Sequence, residues 1–128
     1  MTVSQSADSS NGILGTWKLD YCYQENGNER VPIVPDLKGH IILLKDRMFC
    51  FTTRDSPDGV PDGLLLVYTG PYEVSEDFFI TTVEFTSIQG YLGSKQKRFF
   101  KVDGDTLDIR PAAPDGSPLN RHLIWQRQ

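Results

Sequence analysis

The chain has 128 residues, a formal net charge of −4 and a mean hydropathy of −0.36. Its length suits one domain and is too short for two full ones. The negative charge and the lack of a basic block exclude the positive surface that a nucleic-acid partner needs. The longest apolar stretches, such as residues 64–68, are far shorter than the roughly 20 residues that span a bilayer. We therefore expect a soluble domain with no nucleic-acid partner and no membrane segment.

Residues 1–12 are rich in Ser, Asp and Asn, and they lack the basic and then apolar segments of a secretion signal. This composition predicts a disordered leader, a single folded domain over residues 13–128 and a cytoplasmic location. The domain consists of short β-type runs separated by clusters of Gly, Pro, Asp and Asn. The runs are residues 15–24, 38–44, 48–54, 64–74, 78–86, 94–102, 106–110 and 121–127.

The segments between these runs are expected to be turns and loops. Pro32 and Pro35 predict an irregular stretch after the first run, and residues 55–63, with two Pro-Asp-Gly triplets, predict a long loop. Residues 64–74 form either one strand or a helical turn that leads into a strand. Asp103-Gly104 is a strong signal for a tight hairpin.

Eight short strands with short connections predict antiparallel neighbours. Closing such a meander into a barrel removes both sheet edges. An eight-stranded barrel has an interior that is filled by side chains or holds one small ligand. We therefore expect an all-β protein, an eight-stranded antiparallel up-and-down β-barrel, with a β-sandwich as the alternative.

Several short segments, in this order and spacing, resemble one family. They are residues 15–17 (Gly-Thr-Trp), 39–48, 68–74, 93–99, 103–107 and 123–127. Together they are similar to the single-domain lipocalin-like family of bacteria and fungi, which has the calycin type of barrel. The resemblance implies an up-and-down barrel with a central cavity, but little about chemistry. The Thr-Asp-Tyr motif of the secreted transport lipocalins is absent, and no helical pattern follows the last run.

The resemblance also implies a structural role for Trp17. In lipocalins the matching tryptophan lies across the closed end of the barrel, beneath a basic side chain from the last strand. Arg127 holds the matching position here, and Arg98 is the alternative. A guanidinium over an indole contributes roughly 0.5–2 kcal/mol, so this pair is expected to close the barrel.

Tyrosines are candidate ligand-binding residues. Tyr21 and Tyr23 alternate with Trp17 on one face of the first run, so they are expected to point into the barrel with it. A phenol in an apolar cavity can orient a ligand, while the structural alternative is a backbone partner at the rim. Tyr68 and Tyr72 share one face of the fourth run and leave the same two interpretations open.

Arg98 is the strongest candidate for chemistry. It shares a face with Gln96 and Phe100, whereas the lysines at 95, 97 and 101 take the opposite, wet face. A guanidinium inside the barrel needs a partner, and Glu84 on the preceding run is the expected one. The pair is either structural, or Arg98 polarises a ligand carbonyl or enolate while Glu84 or a tyrosine moves a proton. The predicted catalytic residues are Arg98, Glu84 and Tyr21, and the predicted ligand-binding residues are Tyr23, Tyr68, Tyr72, Gln96 and Phe100.

The sequence contains no motif for a metal or a cofactor. His40 and His122 lack ligand spacing, and haem held by one histidine is the only alternative of this kind. The Pro-Asp-Gly triplets lack the further acidic ligands of a calcium loop, and no phosphate-binding glycine loop is present. Cys22 and Cys50 are too few for a disulfide framework. We expect them to be buried and inert, with a disulfide or a reactive thiol as the alternative.

These features predict a cofactor-independent isomerase or cyclase of secondary metabolism, acting on a small hydrophobic molecule that carries oxygen. The barrel would fold the substrate, and Arg98 with tyrosines would stabilise the developing oxyanion. The main alternative is a carrier that binds such a molecule without changing it. A third hypothesis is a filled barrel that serves as an interaction module. A homodimer is left open.

Overall fold

The computed structural model describes residues 12–55 and 61–128. In these segments it contains ten β-strands, in chain order β1 (Gly15–Asn26), β2 (Glu29–Ile33), β3 (Leu37–Leu43), β4 (Arg47–Asp55), β5 (Pro61–Val74), β6 (Phe78–Thr82), β7 (Phe85–Thr86), β8 (Lys95–Asp103), β9 (Thr106–Pro111) and β10 (Arg121–Arg127). The described residues include no helix that is long and apolar enough to cross a membrane. Except for Gly12, the predicted leader lies outside the described residues.

Eight of the strands form a closed antiparallel barrel. The order around it is β1, β3, β4, β5, β6, β8, β9 and β10, and β10 pairs back onto β1 from Trp17↔Arg127 to Gln24↔Arg121. Each strand of the barrel therefore lies beside its neighbour in the chain. The prediction of an all-β, eight-stranded up-and-down barrel is confirmed, and the sandwich alternative is wrong because the sheet closes on itself.

Two short strands were not expected. Residues 29–33, predicted to be irregular, form β2, which pairs with the second half of β1 beyond the point where β3 leaves it. Pro32 is accommodated because β2 is an edge strand, in which a missing N–H need not break a ladder. The predicted run 78–86 is divided into β6 and β7, both of which pair with β5.

Gly70 explains why that run divides. Between the two short strands the chain presses against β5, and a Cβ atom at Gly70 would lie 1.8 Å from the carbonyl oxygen of Thr82. Val83 and Glu84 leave the regular ladder here, although the Glu84 N–H still donates to the Thr69 carbonyl over 2.8 Å. β5 itself is one long strand, so the helical alternative for residues 64–74 is wrong. Its start at Pro61 also makes the predicted loop of residues 55–63 shorter, and residues 56–60 lie outside the described part.

A β-bulge in β1 decides where its tyrosines point. Leu19 pairs with Trp125 and Tyr21 with Ile124, so that Asp20 is an extra residue in β1. Because side chains alternate along a strand, one extra residue inverts the alternation that follows it. The side chain of Tyr21 is therefore outside the barrel, with 48 % of the residue exposed. Tyr23 also faces outward, and the prediction that both tyrosines share the face of Trp17 is wrong.

The core fills one end of the barrel. Its fully buried members come from the start of four strands and from the end of two others. Trp17, Met48, Phe79 and Leu107 lie near the starts of β1, β4, β6 and β9, and Leu43 and Trp125 lie near the ends of β3 and β10. In an antiparallel barrel these strand ends lie at the same end of the molecule. The opposite ends of the strands surround a cavity.

Candidate functional site

The open half of the barrel contains a cavity of about 580 Å³. This volume lies within the range of about 300–1,000 Å³ that is typical of small-molecule sites. The walls are mainly aliphatic and aromatic. The described residues that line the cavity are Cys22, Gln24, Ile33, Val34, Leu37, Ile41, Cys50, Thr52, Leu66, Tyr68, Ile88, Tyr91, Arg98, Ile109, Pro111, Arg121, Leu123 and Trp125.

Two loops complete the wall that the strands begin. Val34, between β2 and β3, has a φ of +46° and accepts a hydrogen bond from the Leu37 N–H over 3.1 Å. A left-handed conformation is rare for a β-branched residue, and here it belongs to the tight turn that joins Ile33 to Leu37 at the cavity. The other loop, between β7 and β8, contributes Ile88 and Tyr91, which are joined by a backbone hydrogen bond of 3.1 Å.

Arg98 lies on the inner face of β8, as the alternation along that strand predicts. Its Nη1 donates to the Lys97 carbonyl over 3.1 Å and to Oε1 of Gln96 over 3.4 Å. Its guanidinium carbon lies 5.7 Å from the centre of the Tyr68 ring. Burial lowers the pKa of Arg98, but the hydroxyls of Tyr68 and Tyr91 raise it by more, so the pKa lies above its ordinary value and the guanidinium is charged.

The charge of Arg98 has no carboxylate beside it in the cavity wall. Among the described residues that line the cavity, two are arginines, Arg98 and Arg121, and none is Asp or Glu. Glu84 instead accepts from Nη2 of Arg47 over 2.5 Å, and both side chains are about one-third exposed or more. The predicted pair of Arg98 and Glu84 is therefore wrong, because Glu84 lies in the connection after β6 and not in the strand beside β8. A buried charge that lacks its partner is costly by several kcal/mol.

Tyr68 is the second polar group of the cavity wall. Burial raises the pKa of its phenol well above the usual range, with a further contribution from Cys50, so the hydroxyl keeps its proton. The ring packs edge-on against Tyr91, with 5.8 Å between the ring centres. Burial also raises the pKa of the Cys50 thiol, which contacts Tyr68, to about 11. We call Arg98, Tyr68, Tyr91 and Cys50 the Arg98 cluster.

Trp125 lines the cavity with part of its side chain. Its indole N–H is buried and has no hydrogen-bond partner among the described residues, whereas buried N–H groups are nearly always paired in folded proteins. Because this N–H has almost no accessible surface, it is not a donor that a molecule in the cavity can reach.

Four of the five predicted ligand-binding residues do not line the cavity: Tyr23, Tyr72, Gln96 and Phe100. Tyr72 donates its hydroxyl to the Leu44 carbonyl over 2.5 Å and packs on Phe79 at the filled end of the barrel. Phe100 also packs on Phe79, with 6.0 Å between the ring centres. Gln96 accepts from Arg98 and donates to Oγ of Ser94 over 2.9 Å, so it holds Arg98 in place without lining the cavity itself. Of the predicted ligand-binding set, only Tyr68 lines the cavity.

The tyrosines of β1 lie on the outer face of the barrel, where Tyr21 is exposed and Tyr23 is covered by its neighbours. Tyr23 stacks on His122, with 4.5 Å between the ring centres. The guanidinium carbon of Arg30 lies over the Tyr23 ring, 4.7 Å from its centre. His122 is held by two carboxylates, Nδ1 at 2.9 Å from Asp108 and Nε2 at 3.3 Å from Glu25. Neither His122 nor His40 is among the residues around the cavity. In the described part of the chain no group of three or more His, Cys, Asp or Glu side chains could hold a metal ion.

Trp17 and Arg127 close the filled end. The guanidinium carbon lies 4.2 Å from the ring centre, and the indole N–H donates to the Ile13 carbonyl over 2.9 Å. Arg98, the alternative partner, is in the cavity wall instead. The sulfurs of Cys22 and Cys50 are free thiols, and both residues line the cavity.

Several lining residues were not identified from the sequence. Arg121, Leu123 and Trp125 alternate along the last run, and this period of two was a usable signal for one shared inner face. Tyr91 and Val34 lie in loops, where no periodicity indicates the direction of a side chain. Comparisons with protein-family models, with curated proteins and with solved structures give no significant match.

Proposed function

We propose that this protein binds a small, mostly apolar molecule that carries oxygen, in the cavity of a lipocalin-like barrel. The observation that supports the proposal is the cavity of about 580 Å³, with aliphatic walls and one polar cluster. Sites for small molecules have this composition, because apolar contact supplies affinity and a few polar groups fix orientation.

The distribution of the lining residues supports binding in one orientation. Leu37, Ile41, Leu66, Ile88 and Leu123 offer only apolar surface. The polar groups of the Arg98 cluster lie together: the guanidinium carbon is 5.7 Å from the centre of the Tyr68 ring, which packs edge-on against Tyr91 with 5.8 Å between the ring centres. A bound molecule would place its oxygen at the cluster and its hydrocarbon part against the aliphatic wall.

Isomerisation or cyclisation of a secondary metabolite is a second candidate function. The observation that favours it is the pairing of a charged Arg98 with a protonated Tyr68, since both groups stabilise negative charge on a reacting carbonyl oxygen. Glu84 and Tyr21, the predicted proton carriers, do not line the cavity. The described lining residues include no carboxylate and no imidazole. Without these groups to move a proton, the reaction class that the cavity suits is one in which the barrel folds the substrate and stabilises an oxyanion.

The neutral fluorescent probe N-phenyl-1-naphthylamine tests the binding proposal. We expect it to bind wild-type protein with one-to-one stoichiometry and to lose most of its affinity for Leu66→Trp, in which an indole fills part of the cavity. Tyr21→Trp is the matched control, because it adds an indole on the outer surface. Equal binding to wild type and both variants would show that the probe lies elsewhere, and no binding to the wild type would overturn the proposal.

Mass spectrometry of small molecules extracted from the purified protein separates the two candidate functions. The extracted molecule is returned to fresh protein and analysed again after incubation. An unchanged molecule supports binding alone, and a new isomer of the same mass supports the second candidate.

A further inference from the structure

We infer that the bound molecule is an organic acid, held as a singly charged anion with its carboxylate oxygens on the Arg98 cluster. The inference rests on the proposed function and gives its ligand a chemical class. It is carried by the charge of Arg98, which no described carboxylate of the cavity wall balances, and by the hydrogen-bond donors of its guanidinium.

The charged residues among the described lining of the cavity are all of one sign. Arg98 lies inside, and Arg121 lines the cavity from the start of β10 with an exposed side chain. No carboxylate is found among the described lining residues, and Glu84 is engaged by Arg47. A charge inside a protein is stable when it meets an opposite charge. One guanidinium inside the cavity therefore suits a ligand with a single negative charge.

The hydrogen bonds of the cluster favour an acceptor. Arg98 carries five N–H groups, and the oxygens of Lys97 and Gln96 are both reached from Nη1. Burial raises the pKa of the Tyr68 phenol, so its hydroxyl keeps its proton and is a further donor near the guanidinium. A carboxylate has only acceptors, and its two oxygens match the planar fork of an arginine. A ligand alcohol would leave part of this donor capacity unused.

The rest of the cavity limits the acid to an apolar one. The aliphatic side chains of Leu37, Ile41 and Leu66 supply apolar surface to the same cavity. A second charge on the ligand placed against this apolar surface would be unfavourable. Arg121 carries the other positive charge of the lining and is exposed, so it attracts anions toward the cavity without enclosing them.

Isothermal titration calorimetry with decanoate and with 1-decanol tests the inference, because the two molecules share a hydrocarbon chain and differ in charge. We expect decanoate to bind wild-type protein at least about tenfold more tightly than decanol. In Arg98→Gln this preference should disappear, and in Arg98→Lys it should be reduced but retained. Lys101→Gln removes the same charge from the outer, exposed face of the same strand and should leave the preference unchanged.

Each result has one meaning. If decanol binds wild-type protein as tightly as decanoate, the inference is wrong and the proposed binding function stands. If neither molecule binds, while N-phenyl-1-naphthylamine does, the ligand class is wrong; if none of the three binds, the proposed function fails as well. The comparison of decanoate with decanol on wild-type protein tests the inference even if Arg98→Gln does not fold. A preference for decanoate that persists in folded Arg98→Gln would place the anion at another site and overturn the inference.

Discussion

The guanidinium carbon of Arg127 lies 4.2 Å from the centre of the Trp17 ring, and the same guanidinium donates hydrogen bonds to the segment before Trp17 and to Asp105. Its Nη1 and Nη2 donate to the carbonyls of Leu14 and Gly12 over 2.9 and 2.6 Å, and its Nε donates to Asp105 over 3.2 Å. One side chain of the last strand thus joins the segment before β1 to the hairpin between β8 and β9. This arrangement closes the filled end of the barrel.

Arg127→Ala should therefore lower the free energy of unfolding by about 2 kcal/mol, because it removes the stacking and several charged hydrogen bonds together. Arg127→Lys should recover only part of the loss, since an ammonium lacks the planar fork. Urea unfolding followed by tryptophan fluorescence measures the difference. Arg30→Ala is the matched control, because Arg30 stacks on Tyr23 at the outer surface. An equal loss in both variants would argue against the closing role of Arg127.

Arg98 is expected to reduce the stability of the empty protein. Arg98→Met keeps much of the volume and removes a charge that has no carboxylate in the described cavity wall. Replacing buried ionic groups with apolar ones often stabilises a protein by about 1–4 kcal/mol. We expect the melting temperature of ligand-free protein to rise by roughly 3–6 °C. Lys101→Met should leave it nearly unchanged, and a fall in the Arg98→Met variant would show that the guanidinium is needed to hold the wall together.

Gly70→Ala should be among the most damaging small substitutions. The added methyl would lie 1.8 Å from the carbonyl oxygen of Thr82, so β5 and the chain after β6 would have to separate. We expect a loss of roughly 3 kcal/mol or more. Gly39→Ala, with its Cβ at 2.5 Å from the Phe51 carbonyl oxygen, should be damaging to a smaller degree. Thermal unfolding of both variants measures this order, and the reverse order would contradict the close approach at Gly70.

The Cys22 thiol should make the protein less stable in alkaline solution. Burial raises the pKa of this thiol from 9.0 to about 11, although Arg121 lowers it slightly. Between these pH values the unfolded chain releases the proton and the folded chain keeps it, so stability falls as the pH rises. Cys22 should cost roughly 2 kcal/mol across this window and nothing below about pH 9. Urea unfolding of wild type and Cys22→Val from pH 8 to pH 10.5 should show a shallower decline in the variant; parallel declines would mean that the thiol titrates normally.

Tyr68 should contribute to binding through its hydroxyl. Tyr68→Phe removes a protonated phenol beside Arg98 and should weaken decanoate binding by about three- to tenfold, the contribution of one typical hydrogen bond. Tyr21→Phe makes the same chemical change on the outer surface, where it should have no effect. Calorimetry of both variants checks this difference. A larger effect at Tyr21 than at Tyr68 would contradict the placement of the cavity.

The strand pattern was sufficient to predict the barrel because hydrophobic alternation and turn residues are local signals. The alternation of Lys95, Lys97 and Lys101 with Arg98 placed this arginine inside, and the structure shows the same orientation. The run that ends at Arg127 was long enough to lie along the first strand, and the two strands close the barrel. These features depend on neighbours in sequence, which a single chain displays directly.

The same reasoning failed where one residue changed the register. The bulge at Asp20 turned Tyr21 and Tyr23 outward, although their spacing from Trp17 is regular in sequence. Glu84 was assigned to the strand beside Arg98, but the close contact at Gly70 bends that segment away and leaves Glu84 beside Arg47. Bulges of this kind are set by how neighbouring strands fit, and the strand that contains them carries little local sign of them.

Composition and alternation by themselves determined an all-β chain, a closed meander of eight strands and an arginine that faces inward. Only the tertiary structure decided what surrounds that arginine. Tyr91 comes from a loop and Tyr68 from a neighbouring part of the sheet, and both reach Arg98 because the barrel closes. Alternation along a strand assigns each side chain to a face, whereas the partners it meets there depend on the register of strands that are distant in sequence.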